Sequence, residues 1–420
     1  MILIFMNKII LVFFFIFVMV PEISPPMINE QVSNEDETNQ KNKPTSKIDK
    51  QLISNIVLTI QYYYTYICLG ILVSALGWSN LQLQRNTSST VQNIGFLFTA
   101  RGTTWVIGTL AGGKVIDFIT NPNFKYSNVF HPHFVYTFIL CVLVLLYSII
   151  PIITNYYLLL GLHIFYGFFA GMLDLFPNVL LMWIWKEKSG PFIQLLHAFY
   201  GLGAFFSPLI AGLIMQEGNL FRFYWAFWIN SILVLICIFG FIFLPTPNLN
   251  RISEMKPQNV EETDLNVEEK KFSFSKLISK ENQMSLVIAL LLGFYVGGEV
   301  AYGGLLSNYV VEQRIGTEKM AAYLTSAFWL SFTIGRVLSA FISIYLDPRF
   351  YITASFSISI IGLALILIFS KLMVILWISS LLVGFFYGPI YAIALSYPSV
   401  TLKMEPSGFM TSVMVLFLIC

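Results

Sequence analysis

The sequence contains little charge and only four cysteines and four histidines. Charged residues make up 11% of the 420 residues and hydrophobic residues 57%, against about 25% and 45–50% in soluble domains. This composition argues against an ordinary soluble fold. The formal net charge is only +2, and the basic residues form no broad patch, so we expect no nucleic-acid partner. The composition instead predicts a polytopic protein embedded in the lipid bilayer.

The cysteines and histidines also lack the spacing of a metal site or of a known catalytic motif. All four cysteines lie in apolar runs, with no CxxC pair and no histidine at ligand spacing. We find neither a clustered histidine motif nor a nucleophile elbow. We therefore interpret the cysteines as membrane-embedded thiols, and we expect no enzyme activity, no cofactor and no metal beyond a coupling ion.

Apolar segments of transmembrane length follow one another along the chain. About 20 residues, rising about 1.5 Å each, cross the hydrocarbon core as a helix. The predicted fold class is therefore all-α, with ten full spans and the start of an eleventh. We place the spans at residues 54–81, 91–118, 133–153, 156–183, 191–215, 222–244, 284–310, 320–346, 351–370, 373–397 and 408–420.

The distribution of lysine and arginine predicts the orientation of the chain. These residues are concentrated in the N-terminal tail and in every second connection, so the positive-inside rule places the tail in the cytoplasm. Residues 1–20 resemble a signal peptide, but the basic tail that follows favours an uncleaved hydrophobic leader or a misassigned start. The other connections contain only Arg85, Arg222, Arg314, Lys319 and Lys371.

A long polar connection divides the chain after six spans, and short matches relate the two halves. Gly167–Gly171 (GFFAG) in span 4 reappears as Gly384–Gly388 (GFFYG) in span 10. Many transporters are built from two related bundles. We predict a leader and disordered cytoplasmic tail over 1–52, a six-helix bundle over 53–244, a cytoplasmic linker over 245–283 and an incomplete second bundle over 284–420.

The strongest indication of function is one carboxylate, Glu299, near the middle of span 7. A charge at the bilayer centre costs about 2.5–3.5 kcal/mol on insertion scales, so such residues usually serve a function. Tyr295 and Tyr302 lie four residues before it and three after it, which places all three along one helical face. We therefore interpret span 7 as a helix that lines a transport pathway.

Asp174 in span 4 is a second intramembrane carboxylate, with Asn178 one turn beyond it. Two interpretations stay open for both carboxylates. Each could bind a coupling cation or solute hydroxyls, or each could form a helix-locking ion pair with Arg101 or Arg336. We assign Arg336 and Arg101 to gating or structural contacts, although Arg101, about two turns from the outer end of span 2, could instead snorkel outwards.

Four further polar residues are suited to binding a solute. His197 and Gln194 lie one turn apart on span 5, although a lone histidine on an apolar helix is often only a hydrogen-bonded core residue. Tyr391 occupies the position of Asp174 in the repeat, so we expect it to face the same cavity. Asn308, in span 7, completes the predicted substrate-binding residues.

Several stretches resemble a known family. Gly113–Asp117 (GKVID) at the end of span 2 resembles the start of a motif of the major facilitator superfamily, which implies a structural or gating role for Gly113 and Asp117. Residues 171–185, 190–208 and 295–304 are similar to the sodium-dependent glucose transporter branch of that superfamily. The resemblance implies a two-bundle (6+6) transporter fold, here with about 10–11 transmembrane helices because the chain stops inside span 11.

The resemblance also implies a function. It implies secondary active transport of a small polar solute, a hexose such as glucose, coupled to Na⁺ by alternating access. One alternative is a proton-coupled or facilitative carrier of another solute, such as an organic anion. Another is a membrane receptor or scaffold that transports nothing. We expect a monomer in the plasma membrane, although an internal membrane fits equally well.

Overall fold

The computed structural model describes residues 45–121, 130–186, 189–216, 218–243, 280–342, 345–369, 371–391, 393–394 and 397. These residues form ten α-helices, and a short 3₁₀ turn, Ile150–Ile152, follows the third. The helices are α1 (Thr45–Asn86), α2 (Val91–Ile119), α3 (Pro132–Ile149), α4 (Tyr156–Trp185), α5 (Ser189–Ile214), α6 (Leu220–Phe243), α7 (Lys280–Glu312), α8 (Glu318–Ile342), α9 (Pro348–Ile368) and α10 (Met373–Tyr387).

The helices match the ten complete spans expected from the sequence, with differences at their ends. The first helix begins at Thr45, so residues 45–52 are helical and do not belong to a disordered tail. Similarly, α7 begins at Lys280, inside the predicted linker. The leader at 1–20, most of the linker and the eleventh span lie outside the described residues.

Several helix starts follow from local hydrogen bonding. Thr90, His131 and Asn155 each accept a hydrogen bond from a backbone N–H three residues later, and Asp347 accepts two. Such caps satisfy backbone donors that have no partner within the helix. A proline also occupies the first turn of α3 and of α9, where its missing N–H costs nothing.

Seven of the described helices are both long and apolar enough to cross a membrane, and α10 is apolar but shorter. By contrast, α2 and α8 have 29 and 25 residues but lower mean hydropathy, because each contains several threonines or serines and an internal arginine. Polar membrane helices usually face other helices. Accordingly, α2 packs along α4, and α8 packs between α5 and α10.

The buried side chains form two hydrophobic clusters. One comes almost entirely from α1–α6, and the other comes mainly from α7–α10 and from the described residues that follow α10. In the first half α2 packs against α4 and α1 against α5, while in the second half α8 and α9 pack against α10. The halves meet where α5 contacts α8 and where α1 contacts α7.

In the first half, glycines let the backbones of α2 and α4 touch. A Cβ atom added at any of three glycines would collide with a carbonyl oxygen of the facing helix, so no larger residue fits without moving the helices apart. These contacts join Gly167 with Arg101, Gly171 with Trp105 and Gly108 with Phe168.

The same three contacts recur between α8 and α10, at the same spacing along both helices. They join Gly384 with Phe328, Gly388 with Phe332 and Gly335 with Phe385. The recurrence confirms that the short GFFAG and GFFYG strings occupy equivalent positions, as the sequence repeat predicted. Each half therefore contains one helix pair whose backbones are in contact at equivalent glycines.

The two halves are closed against each other at the end where α1 and α7 terminate. Gly77 lies against α7, and Asn80 Nδ2 donates to the Gly304 carbonyl oxygen at 2.8 Å. An ion pair between Arg85 and Glu318 joins the end of α1 to the start of α8. These contacts join the two halves at this end of the helices.

Candidate functional site

Arg336 on α8 is at the centre of a polar group between the two halves. The residue is buried, with 7% of its surface exposed. Its Nε donates to the Gly388 carbonyl oxygen at 3.3 Å. Nη1 donates to the His197 carbonyl oxygen at 3.3 Å, and Nη2 donates to the Tyr295 hydroxyl at 3.1 Å. Arg336 thus connects α8 to α5, α7 and the end of α10.

Glu299 is the charged partner of Arg336. Its Oε2 lies 3.6 Å from Arg336 Nη2, which is an ion-pair contact too long for a good hydrogen bond. Glu299 is also buried, with 6% of its surface exposed. Of the two arginines considered from the sequence, Arg336 is therefore the one that pairs with Glu299.

Tyrosine rings surround this ion pair. The Tyr295 ring stacks on Tyr387 with centroids 4.7 Å apart, and the Tyr387 hydroxyl donates to the Tyr295 carbonyl oxygen at 3.0 Å. The Tyr391 ring lies 5.5 Å from Arg336 Cζ and 5.2 Å from the His197 ring. These rings provide flat apolar faces next to buried charges.

A second polar group belongs to the first half. The Tyr66 hydroxyl on α1 donates to Asp174 Oδ1 at 2.7 Å and contacts the Asp174 backbone carbonyl at the same distance. Asn178 Nδ2 donates to the Tyr66 hydroxyl and, at 2.9 Å, to the Asp174 carbonyl oxygen. The sequence predicted that Asp174 and Asn178 act together, but it gave no indication of Tyr66.

His197 connects the two groups. Its ring meets the Tyr66 ring edge-on at 5.5 Å and the Tyr391 ring at 5.2 Å. His197, Tyr391, Asp174 and Asn178 are all half-buried, whereas Glu299 and Arg336 are buried. The half-buried side chains thus carry carboxylate, amide, imidazole and phenol groups, and they lie next to a buried ion pair.

Three predicted substrate residues are not brought into this group. The Tyr302 hydroxyl hydrogen-bonds to Ser380 Oγ at 2.8 Å, inside the second hydrophobic cluster. Asn308 is buried nine positions beyond Glu299, about 13 Å along the helix. Gln194 is half-buried and hydrogen-bonds to no residue in the described part of the chain.

The motif residues of the second span lie elsewhere as well. Gly113 faces the Leu175 side chain on α4, and Asp117 lies in the last turn of α2. Both positions are compatible with the structural role that the resemblance implies.

Arg101 differs from the expectation that it snorkels outwards. It is buried, with 6% of its surface exposed, and Nη2 donates to the Val73 carbonyl oxygen at 3.2 Å. Its guanidinium also lies 5.7 Å from the centre of the Tyr166 ring. The snorkelling prediction was wrong because α1 and α4 cover the side chain. No described carboxylate forms an ion pair with Arg101.

The internal repeat relates Arg336 to Thr109. Thr109 Oγ1 donates to the Gly171 carbonyl oxygen at 3.0 Å, just as Arg336 Nε donates to the Gly388 carbonyl oxygen. The two glycines are equivalent in the repeat, and Thr109 directly follows Gly108 as Arg336 directly follows Gly335. One position therefore carries a hydroxyl in the first half and a guanidinium in the second.

Comparison with solved structures shows a shared fold. The D-xylose-proton symporter superimposes with a TM-score of 0.64 at 10% sequence identity, covering 87% of this chain and 86% of that one. At this identity the similarity concerns the fold alone.

Comparison with curated proteins finds several relatives. The chain is 26% identical to sodium-dependent glucose transporter 1 of Danio rerio over 76% of its own length, and it spans only 55% of that protein. It is 23% identical to major facilitator superfamily domain-containing protein 4A of Mus musculus, covering 88% of this chain and 84% of that one.

A family model provides the assignment. The model of the Major Facilitator Superfamily matches residues 67–418, which is well over half of the chain. The all-α multi-pass fold expected from the sequence is confirmed by this match and by the superimposed symporter. The protein is therefore a member of the Major Facilitator Superfamily, a family of membrane transporters and not of enzymes.

Proposed function

We propose that the protein is a secondary transporter of a small neutral polyol, most specifically a hexose such as glucose, coupled to Na⁺. The observation that supports this best is the continuous polar group between the halves, from Asp174 and Tyr66 through His197 to Tyr391 and the Arg336–Glu299 pair. In alternating access, two bundles rock about a site located between them. A solute bound there would contact both halves.

The chemistry of the group suits a sugar. Carboxylate and amide groups can exchange several hydrogen bonds with hydroxyls, and the Tyr391 and His197 rings offer flat faces to the C–H surface of a pyranose. Asp174, Asn178, His197 and Tyr391 are all half-buried, as a binding surface requires. We assign direct solute contacts to these four residues, and the positioning of Asp174 and Asn178 to Tyr66.

The charge balance of the group favours a neutral solute over an organic anion. Among the residues that the structure describes, Arg336 is the only cationic side chain in the group, and Glu299 already lies 3.6 Å from it. Asp174 adds a further carboxylate whose hydrogen-bond donor is a neutral hydroxyl. An anion entering this group would therefore meet more negative than positive charge.

The same residues support Na⁺ as the coupling ion. Oxygen ligands suit a hard cation such as Na⁺, and Asp174 is a half-buried intramembrane carboxylate whose surroundings contain further hydroxyl and amide groups. One relative carries the name sodium-dependent glucose transporter 1. We place the Na⁺ at Asp174, and we assign Glu299 to a role in coupling through its contact with Arg336.

The test is uptake of radiolabelled glucose into proteoliposomes, with an inward gradient of either Na⁺ or choline. We expect uptake that requires Na⁺ and is abolished by Asp174→Asn. Uptake of glucose independent of Na⁺ would refute the coupling. Uptake of an organic anion driven by protons would refute the solute class, and binding of glucose without uptake would favour a receptor.

Two tyrosine variants, one of them a matched control, test whether Tyr66 positions the residues that contact the solute. Tyr66→Phe removes the hydroxyl that holds Asp174 and Asn178, so it should raise the KM for glucose about tenfold, because the loss of a hydrogen bond to a charged group costs about 1.5 kcal/mol or more. Tyr136→Phe removes another buried tyrosine hydroxyl, which has no hydrogen-bond partner among the described residues. We expect Tyr136→Phe to keep the KM of the unaltered protein.

A further inference from the structure

A small cavity lies within the first half, apart from the polar group between the halves. It is enclosed by α1, α2, α3, α4 and α6 together with the 3₁₀ turn, and it has room for about one water-sized species. Most of its wall is apolar, including Leu72, Leu76 and Phe227. The polar side chains of the wall are Ser79, Arg101, His163, Tyr166 and Tyr147, and Asn230 Nδ2 donates to the Tyr147 hydroxyl at 3.2 Å.

Arg101 brings an uncompensated positive charge to this cavity. Its hydrogen bond to Val73 uses one of the five N–H groups of the guanidinium, and no described carboxylate pairs with it. A buried charge without a counter-charge is strongly unfavourable. Arg336 differs in this respect, because Glu299 lies beside it. The surroundings of Arg101 therefore lack a negative charge that would stabilise it.

Two hydroxyl groups of the cavity wall also lack partners. Ser79 Oγ and the Tyr166 hydroxyl are buried and hydrogen-bond to nothing in the described part of the chain. Both can donate. His163 donates through Nδ1 to its own helix, at 2.9 Å from the Leu159 carbonyl oxygen, so its other nitrogen is an acceptor when the ring is neutral. The cavity wall therefore presents two hydroxyl donors without described partners beside the Arg101 guanidinium.

We propose that this cavity binds a single halide ion, chloride under physiological conditions, which pairs with Arg101 and accepts hydrogen bonds from Ser79 and Tyr166. The cavity has room for about one water-sized species, so a monatomic anion fits better than a carboxylate or a phosphate. In the described part of the second half, the repeat position of Arg101 is occupied by Phe328, a fully buried ring that carries no charge. The bound ion stabilises the first half and takes no part in the solute pathway.

The test compares the thermal unfolding of the purified protein in equal concentrations of sodium chloride, sodium bromide and sodium gluconate. Because a ligand that binds only the folded state raises the melting temperature, both halides should raise it relative to gluconate. Equilibrium binding of ³⁶Cl⁻ should saturate at one ion per chain. Melting temperatures that are equal in all three salts would overturn the proposal and indicate that the cavity holds water only.

Two conservative variants make the test specific. Ser79→Ala and Tyr166→Phe each remove a hydroxyl without a protein partner, so neither should disturb folding, and each should weaken ³⁶Cl⁻ binding about tenfold. Tyr136→Phe removes an unpartnered hydroxyl outside the cavity and should leave the affinity unchanged. Chloride binding that is unaffected by both cavity variants, or weakened equally by Tyr136→Phe, would refute the site.

Discussion

Replacing Glu299 by glutamine should destabilise the protein severely, because it leaves Arg336 without a counter-charge. The substitution keeps the size of the side chain and removes only its charge. Both members of the pair are more than nine-tenths buried, so water cannot compensate for the missing carboxylate. The remaining bonds of Arg336 go to two backbone carbonyls and one hydroxyl, none of which carries a full charge.

The expected size follows from the geometry. Unit charges at the observed separation of 3.6 Å attract by about 5 kcal/mol at an effective dielectric constant of about 20. Removing one partner of a buried pair typically costs about 3–5 kcal/mol. We therefore expect Glu299→Gln to lower the free energy of unfolding by about 3–5 kcal/mol and the melting temperature of this 420-residue chain by about 3–6 °C.

A double-mutant cycle measures the interaction directly. Thermal unfolding in detergent would be followed for Glu299→Gln, Arg336→Gln and the double variant, and the double variant should be less destabilised than the sum of the single effects by about 3 kcal/mol. The Arg85–Glu318 pair is the control, since the Arg85 side chain is 54% exposed and such pairs contribute about 1 kcal/mol or less. Additive effects, within about 0.5 kcal/mol, would refute our account of the buried pair.

Three further predictions concern packing. Gly108→Val and its repeat equivalent Gly335→Val should both abolish folded protein in size-exclusion chromatography, because each side chain would collide with the backbone of the facing helix. The control is Gly102→Ala, which should express normally because an added Cβ meets nothing within 4 Å. Trp185→Leu should lower the free energy of unfolding by about 2 kcal/mol, measured by thermal unfolding, because it removes the stacking on Phe192 at 3.8 Å and the hydrogen bond to Thr59. The control is Phe165→Leu, at a ring that is 61% exposed, which should lower it by less than about 0.5 kcal/mol. Asn80→Ala removes the donor to Gly304 and should lower stability by about 1 kcal/mol, whereas an unchanged melting temperature would show that this contact between the halves is not stabilising.

Much of the fold follows from the sequence. The length and apolar character of each segment predict the ten helices, because a membrane-spanning helix must satisfy its backbone hydrogen bonds internally. The repeated glycines predict equivalent positions in α4 and α10, since a close contact between backbones tolerates no side chain. The burial of Glu299 also follows, because an intramembrane charge avoids lipid.

The composition of the site is less predictable. Helical periodicity places residues on a face, but the rotation of each helix depends on contacts with helices far away in the sequence. Tyr295 and Tyr302 share a face with Glu299, yet only Tyr295 reaches Arg336. Gln61–Tyr66 contains four tyrosines, and nothing in that run distinguishes the one that binds Asp174.

The surroundings of Arg101 could not be read from the sequence either. Counting turns from the end of the helix suggested that its side chain reaches the surface. In the fold, the glycine contact at Gly167 brings α4 directly against the backbone of Arg101, and Tyr166 then covers the guanidinium. A small residue on one helix thus determined the environment of a charge on another, which a single-helix argument cannot anticipate.

The equivalence of Thr109 and Arg336 has a consequence for how such a carrier can diversify. Each residue donates a hydrogen bond to the equivalent glycine carbonyl of its own half. A neutral residue at this position could therefore be replaced by a cationic one that keeps the hydrogen bond. After duplication, one half could thus gain a charge in the polar group between the halves without a change in how its helices pack. The two halves then differ in charge at this position although their glycine contacts are equivalent.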